Sequence, residues 1–160
     1  MKSLYIACLT LVIVSYIGLI LRKKYRVRRK ILEDYNVFLT ELVEEIECLK
    51  SPLVEFVNRV KVGKCREFSL ILDDYINAIQ KNSDVAIKSK YLNDRESRII
   101  QTCFNQIGRS NSRQEITALN NAKLEAESLL STAKSDEKHK GELYGRLGFL
   151  IGLMLLIIMI

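Results

Sequence analysis

The sequence has few of the residues that build metal sites. Among 160 residues there is one histidine, His139, and there are four cysteines, Cys8, Cys48, Cys65 and Cys103. The cysteines are isolated along the chain and lack the paired spacing of zinc ligands, so no metal site is expected. A cytosolic location, predicted for the central part of the chain, disfavours disulfides, and the cysteines are predicted to be small buried residues.

Signatures of catalysis are also missing. The sequence contains no serine–histidine–acid set, no phosphate-binding loop of the Gly-x-x-x-x-Gly-Lys type and no Rossmann fingerprint. Asp73 and Asp74 form a carboxylate pair, but neighbouring residues on a helix point in different directions, which disfavours shared acid–base work. The sequence therefore predicts no catalytic residue, no cofactor and no small-molecule substrate.

Proline and glycine are scarce, with one proline, Pro52, and seven glycines. Apolar residues recur at helical spacing almost throughout the segment between the two ends, and no alternating run is long enough for a strand. The sequence predicts an all-α fold, with a cytosolic bundle of about six helices over residues 31–144. Its first helix is expected to continue from the N-terminal segment.

The boundaries of the early helices are marked by local signals. Ser51 can cap the second helix, and Pro52 suits the first helical position. Gly63 is expected to close that helix. A third helix is predicted over about 65–79, and a brief fourth helix around residues 85–87.

Two capping boxes mark the later helices. Asn93 and Glu96 have the required spacing for the fifth helix, which is expected to stop at Gly108. Ser112 and Glu115 form a capping box for the last and longest helix.

The N-terminal end is apolar. Leu4–Leu21 is 18 residues without a charge, about the minimum for a membrane-spanning helix. A cleaved signal peptide would have a shorter apolar region and a small-residue cleavage site. Residues 1–21 are therefore predicted to be a retained transmembrane anchor.

A basic juxtamembrane segment, residues 22–30, follows the anchor and is expected to remain in the cytoplasm, which places the N-terminus outside. Its seven basic residues are Arg22, Lys23, Lys24, Arg26, Arg28, Arg29 and Lys30. The net charge of the whole chain is +6. This segment alone has a charge of +7, whereas residues 31–146 together have a charge of −2. The excess is local, so it favours anionic lipid and does not indicate nucleic-acid binding.

The C-terminal end, residues 145–160, is predicted to be a second membrane segment. Its uncharged run, Leu147–Ile160, would cover roughly 21 Å as a helix, which is short of the roughly 30 Å hydrocarbon core. The segment must begin earlier, thin the bilayer locally or stop partway across.

Small residues recur along both apolar segments. Four glycines are spaced by four, three and four residues: Gly141, Gly145, Gly148 and Gly152. With Ser15 and Gly18 of the N-terminal anchor, the last three are predicted to let the membrane segments pack together or against a partner subunit. The alternative is a flexible hinge followed by an apolar tail, with Gly141 and Gly145 as bending points.

An acidic cluster lies on the first cytosolic helix and comprises Glu41, Glu44, Glu45 and Glu47. It is either a solvated face or a docking surface for a basic partner.

The order of these features resembles the stage III sporulation protein AB family of endospore-forming bacteria. Ser51-Pro52-Leu53 is similar to the Thr-Pro-Leu step of that family. The ending Tyr144, Leu147-Gly148, Leu150 and Gly152-Leu153 is the most specific match. The chain departs from the family pattern at Asn111 and Glu115, where aspartate and glutamine are frequent.

The resemblance implies a subunit of the channel-like apparatus between mother cell and forespore, held in the mother-cell membrane. It further implies a platform role that links the other membrane subunits to a secretion-type ATPase. The expectation is therefore a non-enzymatic scaffold whose partners are those subunits and membrane lipid, with the central domain cytoplasmic. A membrane-anchored helical signalling or sensor module is the alternative, and an enzyme ranks third.

Overall fold

The computed structural model describes residues 2–48, 52–108 and 112–159. The elements are α1 (Lys2–Cys48), α2 (Leu53–Lys61), α3 (Arg66–Gln80), α4 (Asp94–Gln106), α5 (Ser112–Asp136), a π-helix (Glu137–Gly141) and α6 (Glu142–Met159). Within these ranges there is no strand, so the predicted all-α class is confirmed.

The chain forms two compact units. The terminal unit contains Met1–Arg29 and Thr132–Ile160, and the central unit contains Lys30–Ser131. Residues 132–144, which the sequence assigns to the cytosolic domain, thus group with the two ends.

The central unit is organised around buried aromatic rings. Its largest fully buried side chains include Tyr35, Phe38, Phe56, Phe68 and Phe104. The rings of Phe38 and Phe104 are 5.6 Å apart between centroids, and those of Phe38 and Phe56 are 5.7 Å apart. Edge-to-face and tilted packing of this kind adds to the free energy gained from area burial. Tyr35 and Phe38 of α1 therefore lie at the centre of this core.

Helix α2 begins one residue later than predicted. Pro52 occupies the N-cap position with φ −55° and ψ 131°, and Leu53 is the first helical residue. The predicted cap at Ser51 lies outside the described residues. Gly63 follows the helix with φ +97°, a conformation that favours glycine, so its predicted role at the helix end is confirmed.

The predicted fourth helix at residues 85–87 is wrong, because this stretch is irregular. Val85 and Ile87 are buried whereas Ala86 is exposed, the alternation expected of an extended chain. The Val85 amide donates to Asn105 Oδ1 at 2.9 Å. This long-range hydrogen bond satisfies the backbone without a helical turn.

The capping box of α4 is confirmed, since the Asn93 amide donates to Glu96 Oε2 at 2.9 Å and the reciprocal bond is present. Gly108 follows α4 with φ +79°, as expected of a helix stop. In the box predicted for the last helix, the side chain of Ser112 lies outside the described residues, and Glu115 Oε1 accepts from the Gly108 amide at 2.7 Å. Glu115 therefore ties α5 to the end of α4.

None of the helices, over the residues described, combines the length and apolar character needed to cross a membrane. The two predicted membrane segments are not confirmed and stay predictions.

Candidate functional site

Ion pairs concentrate where α1 meets the π-helix within the terminal unit. Arg28 Nη1 donates to Asp136 Oδ2 at 2.7 Å. Arg29 Nε donates to Glu137, and Arg26 Nε lies 3.7 Å from Glu137 Oε1. Arg28 is only 8% exposed, so its charge depends on this pairing. These residues are termed the charged junction.

Asp136 is the centre of the charged junction. Lys140, four residues further on, contacts Asp136 Oδ1 at 2.7 Å. Hydrogen bonds from Lys140 and then from Arg28 lower the pKa of the Asp136 carboxyl. The same bond raises the pKa of Lys140. Asp136 is therefore a carboxylate held ionised by two cations.

A close approach of the two helices accompanies the ion pairs. Gly141 is buried, and a Cβ built on it would lie 3.5 Å from Tyr25 Cβ. The rings of Tyr25 and Tyr144 stack with centroids 6.1 Å apart and an interplanar angle of 11°. Because residues later in α1 contact residues earlier in the C-terminal segment, the helices run antiparallel.

The structure divides the seven predicted basic residues into two groups. Arg26, Arg28 and Arg29 contact the acidic side chains of the charged junction. Arg26 is nevertheless exposed, as are the remaining four: Arg22, Lys23, Lys24 and Lys30. The sequence treats all seven alike because nothing local marks which of them will meet Asp136 and Glu137, more than 100 residues away.

The predicted small-residue contact in the apolar segments remains untested. Gly18 is buried. The surroundings of Ser15, Gly145, Gly148 and Gly152 lie outside the described part of the structure. Packing along these residues stays a prediction.

The acidic cluster of α1 is not uniform. Glu45 is buried and accepts a hydrogen bond from Arg59, and Glu41 Oε1 lies 3.2 Å from Lys64 Nζ. Glu44 and Glu47 are exposed. A docking surface, as hypothesised, would therefore present Glu44 and Glu47 most directly.

An open groove of about 710 Å³ lies beside Glu41, Glu44 and Glu45. Val62, which is 84% exposed, stands at its edge, and Val37 is 42% exposed. Nothing in the sequence marks either valine as exposed, because single apolar residues in a helical pattern or at a helix end are normally assigned to the core.

The cysteines divide by environment. Cys103 is buried and Cys65 is half-buried, but Cys48 is exposed, so burial was predicted wrongly for Cys48. Burial, and then a hydrogen bond with Asp34, raise the pKa of Cys65 to about 11, and burial raises the pKa of Cys103. Neither thiol is poised for nucleophilic chemistry at neutral pH.

The remaining polar groups also offer little chemistry. Asp73 pairs with Lys61 whereas Asp74 is exposed, consistent with their expected divergence. Over the ranges that the structure covers, no three metal-ligating side chains come together. Two buried phenols, Tyr35 and Tyr75, have raised pKa values, caused first by burial.

Together these features define an all-helical protein in which the paired polar side chains described above join helical segments. The family model of stage III sporulation protein AB matches residues 3–160. The chain therefore belongs to the stage III sporulation protein AB family, which is a sporulation structural family and not a known enzyme family. Membership gives it a role in stage III of sporulation. No curated protein and no solved structure matches the chain significantly.

Proposed function

We propose that the protein is a non-enzymatic platform subunit of the channel complex between mother cell and forespore. It would be held in the mother-cell membrane by both ends and would link membrane subunits to a secretion-type ATPase. The observation that carries this proposal is the concentration of exposed apolar side chains in the terminal unit.

Large apolar side chains that face solvent are concentrated at the two ends. Of nineteen such side chains among the described residues, seven lie between Val12 and Leu21 and eight between Leu143 and Ile157. The other four are scattered through the central unit. Exposed apolar side chains in this number mark an interaction surface, and helices, whose backbone hydrogen bonds are satisfied internally, are suited to contact with lipid.

Charge supports a particular orientation. The exposed residues Arg22, Lys23 and Lys24 directly follow the apolar side chains of α1, and Arg146 directly precedes most of those on α6. Basic residues flanking apolar helices are retained in the cytoplasm. The central domain would then be cytoplasmic, with the N-terminus outside.

The central unit would supply the docking surface for the complex. The groove beside Glu44 combines an exposed carboxylate with the exposed apolar side chains of Val37 and Val62. This pairing suits a basic, partly apolar segment of another subunit. Glu47 extends the same acidic face, and Glu41 and Glu45 are held by Lys64 and Arg59 at its base.

Affinity purification from sporulating cells after chemical crosslinking tests the proposal. A platform subunit should recover the secretion-type ATPase and other membrane subunits of the complex. Glu44→Lys should reduce recovery of the partner that occupies the groove, whereas Glu55→Lys, at an exposed position on α2 outside it, should not. Recovery of a kinase, with no ATPase or membrane subunit, would instead support the signalling alternative.

A further inference from the structure

A band of exposed basic side chains lies at the edge of the apolar surface in the terminal unit. Arg22, Lys23 and Lys24 are exposed, and the side chain of Arg146 is 80% exposed. Arg26, Arg28 and Arg29 are set apart from these four, because they face the acidic residues of the charged junction.

The antiparallel register places the four exposed residues within a short stretch along the axis of the two helices. Tyr25 lies beside Gly141, since a Cβ built on the glycine would be 3.5 Å from Tyr25 Cβ, and antiparallel helices advance at the same rise per residue. Arg22 to Lys24 are therefore level with residues 142–144, and Arg146 is level with residue 20. The band spans residues 20–24 of α1, about 6 Å along the helix axis.

The net charge of the band and its length along the helix axis both match the polar layer of one bilayer leaflet. The band holds four basic residues and one acidic residue, Glu142, which lies 3.6 Å from Arg146. Its net charge is +3, from four minus one. The polar layer of each leaflet is about 5–7 Å thick, which is half the difference between the whole bilayer and its hydrocarbon core. Exposed apolar side chains continue from Leu21 towards the start of α1 and from Leu147 towards the end of α6, while Leu143 and Tyr144 lie within the band itself.

We propose that Arg22, Lys23, Lys24 and Arg146 bind the phosphate groups of anionic lipids, while Arg28 and Arg29 join the two helices and do not contact lipid. The inference rests on the proposed membrane location and adds which of the basic residues contact anionic lipid and which do not. Each exposed ammonium or guanidinium group near a negatively charged surface gains attraction that a zwitterionic lipid does not supply. Arg28 gains nothing further, because its charge already faces Asp136.

A tryptophan reporter gives a direct test, since the sequence contains no tryptophan. Leu21→Trp places one fluorophore beside the band, at a position 36% exposed. The full-length variant is reconstituted in two lipid mixtures. Both contain brominated phosphatidylcholine, and the phosphatidylglycerol is brominated in one and unbrominated in the other. The quenching of tryptophan fluorescence in the two mixtures gives the association constant of one lipid relative to the other. Phosphatidylglycerol should be favoured by about fivefold, as expected for at least one direct cation–headgroup contact.

Charge-removing variants identify the residues involved. Replacing Arg22, Lys23 and Lys24 with glutamine should bring the ratio close to one. The matched control replaces Lys81, Lys88 and Lys90, three exposed residues of the central unit, and should leave the ratio unchanged. If the triple glutamine variant does not insert, the test uses the Leu21→Trp protein without further changes. Raising the salt concentration must then lower the ratio of the two association constants, because exposed charges are screened.

The outcomes separate the two proposals. Absence of quenching by either lipid would show that residue 21 is not in a bilayer, and would overturn the membrane proposal together with this inference. Quenching with equal constants for both lipids, or a ratio that the control changes as strongly, would overturn the inference alone.

Discussion

At the residue scale, Asp136 concentrates the electrostatics of the terminal unit. Lys140 and Arg28 hold the pKa of its carboxyl below the ordinary value of 3.8. A carboxyl whose pKa is lower in the folded state stabilises the fold above the unfolded-state pKa. That contribution is lost as the pH falls through the folded-state pKa.

The pH dependence of unfolding should therefore contain an Asp136 component. The melting temperature of the wild type should fall as the pH drops below about 4, and Asp136→Asn should show a shallower decline from a lower starting value. Circular dichroism of detergent-solubilised protein measures both. Asp74→Asn, at an exposed carboxylate, serves as the control and should follow the wild type. Superimposable profiles for Asp136→Asn and the wild type would refute the assignment.

The buried phenol of Tyr75 makes a second residue-scale prediction. Its ring stacks on Phe104 with centroids 4.6 Å apart, but its hydroxyl has no hydrogen-bond partner among the described residues. Tyr75→Phe keeps the ring and removes the unpaired hydroxyl. The free energy of unfolding should therefore stay constant or rise by up to about 1 kcal/mol. Urea titration measures this change, and a loss of more than 1 kcal/mol would reveal a hidden partner.

At the scale of elements, the C-terminal helical segment changes geometry at Glu137–Gly141, where a π-helix joins α5 to α6. Such turns are rare and frequently accompany functional sites. Here the π-helix contains Glu137, which pairs with Arg29, and Gly141, which meets Tyr25. The sequence singled out Gly141 for its small size, but no sequence pattern predicted the π-helix.

Gly141 should tolerate one methyl group and no more. A Cβ at this position would lie 3.5 Å from Tyr25 Cβ, an ordinary contact distance. Alanine also has a higher helix propensity than glycine. Gly141→Ala should therefore be neutral or stabilising, whereas Gly141→Leu should destabilise the terminal unit by about 1–3 kcal/mol. Thermal unfolding in detergent compares the two. Equal melting temperatures would show that the helices do not need this close approach.

The glycines of α6 give a prediction that the register sharpens. The Tyr25–Gly141 contact places the buried Gly18 level with Gly148, and Ser15 about level with Gly152. Gly148→Leu and Gly152→Leu add bulk without reducing hydrophobicity, so insertion should survive while crosslinking between the helices and recovery of the complex fail.

Leu150→Phe, at a position 59% exposed on the same helix, is the control for added volume in α6. It should crosslink and assemble normally. Normal assembly and sporulation in both glycine variants would show that the glycines do not form an interface.

At the scale of the whole molecule, the proposed topology predicts opposite labelling of two serines. Ser3→Cys should react with an impermeant thiol reagent from outside, because it precedes the N-terminal apolar run. Ser83→Cys, at an exposed position in the central unit, should react only after lysis. The variants are made in a background lacking Cys48, whose thiol is exposed. Labelling of Ser83→Cys in intact cells would contradict the topology.

The sequence by itself determined the helical class, most helix ends and the apolar character of both termini. The capping box at Asn93 and the stops at Gly63 and Gly108 are local signals, since each depends on residues within a few positions along the chain. The continuity of α1 is likewise a local property, because no proline or glycine cluster interrupts its periodicity.

Only the tertiary structure decided which charges are used and which stay exposed. The pairs Arg28–Asp136 and Arg29–Glu137 join residues 108 positions apart, and the extended course of Val85 depends on Asn105 of another segment. Such pairings arise when the chain returns on itself, so equivalent residues acquire different environments. For the same reason Arg22 remains exposed while Arg28 is buried, although both belong to one basic run.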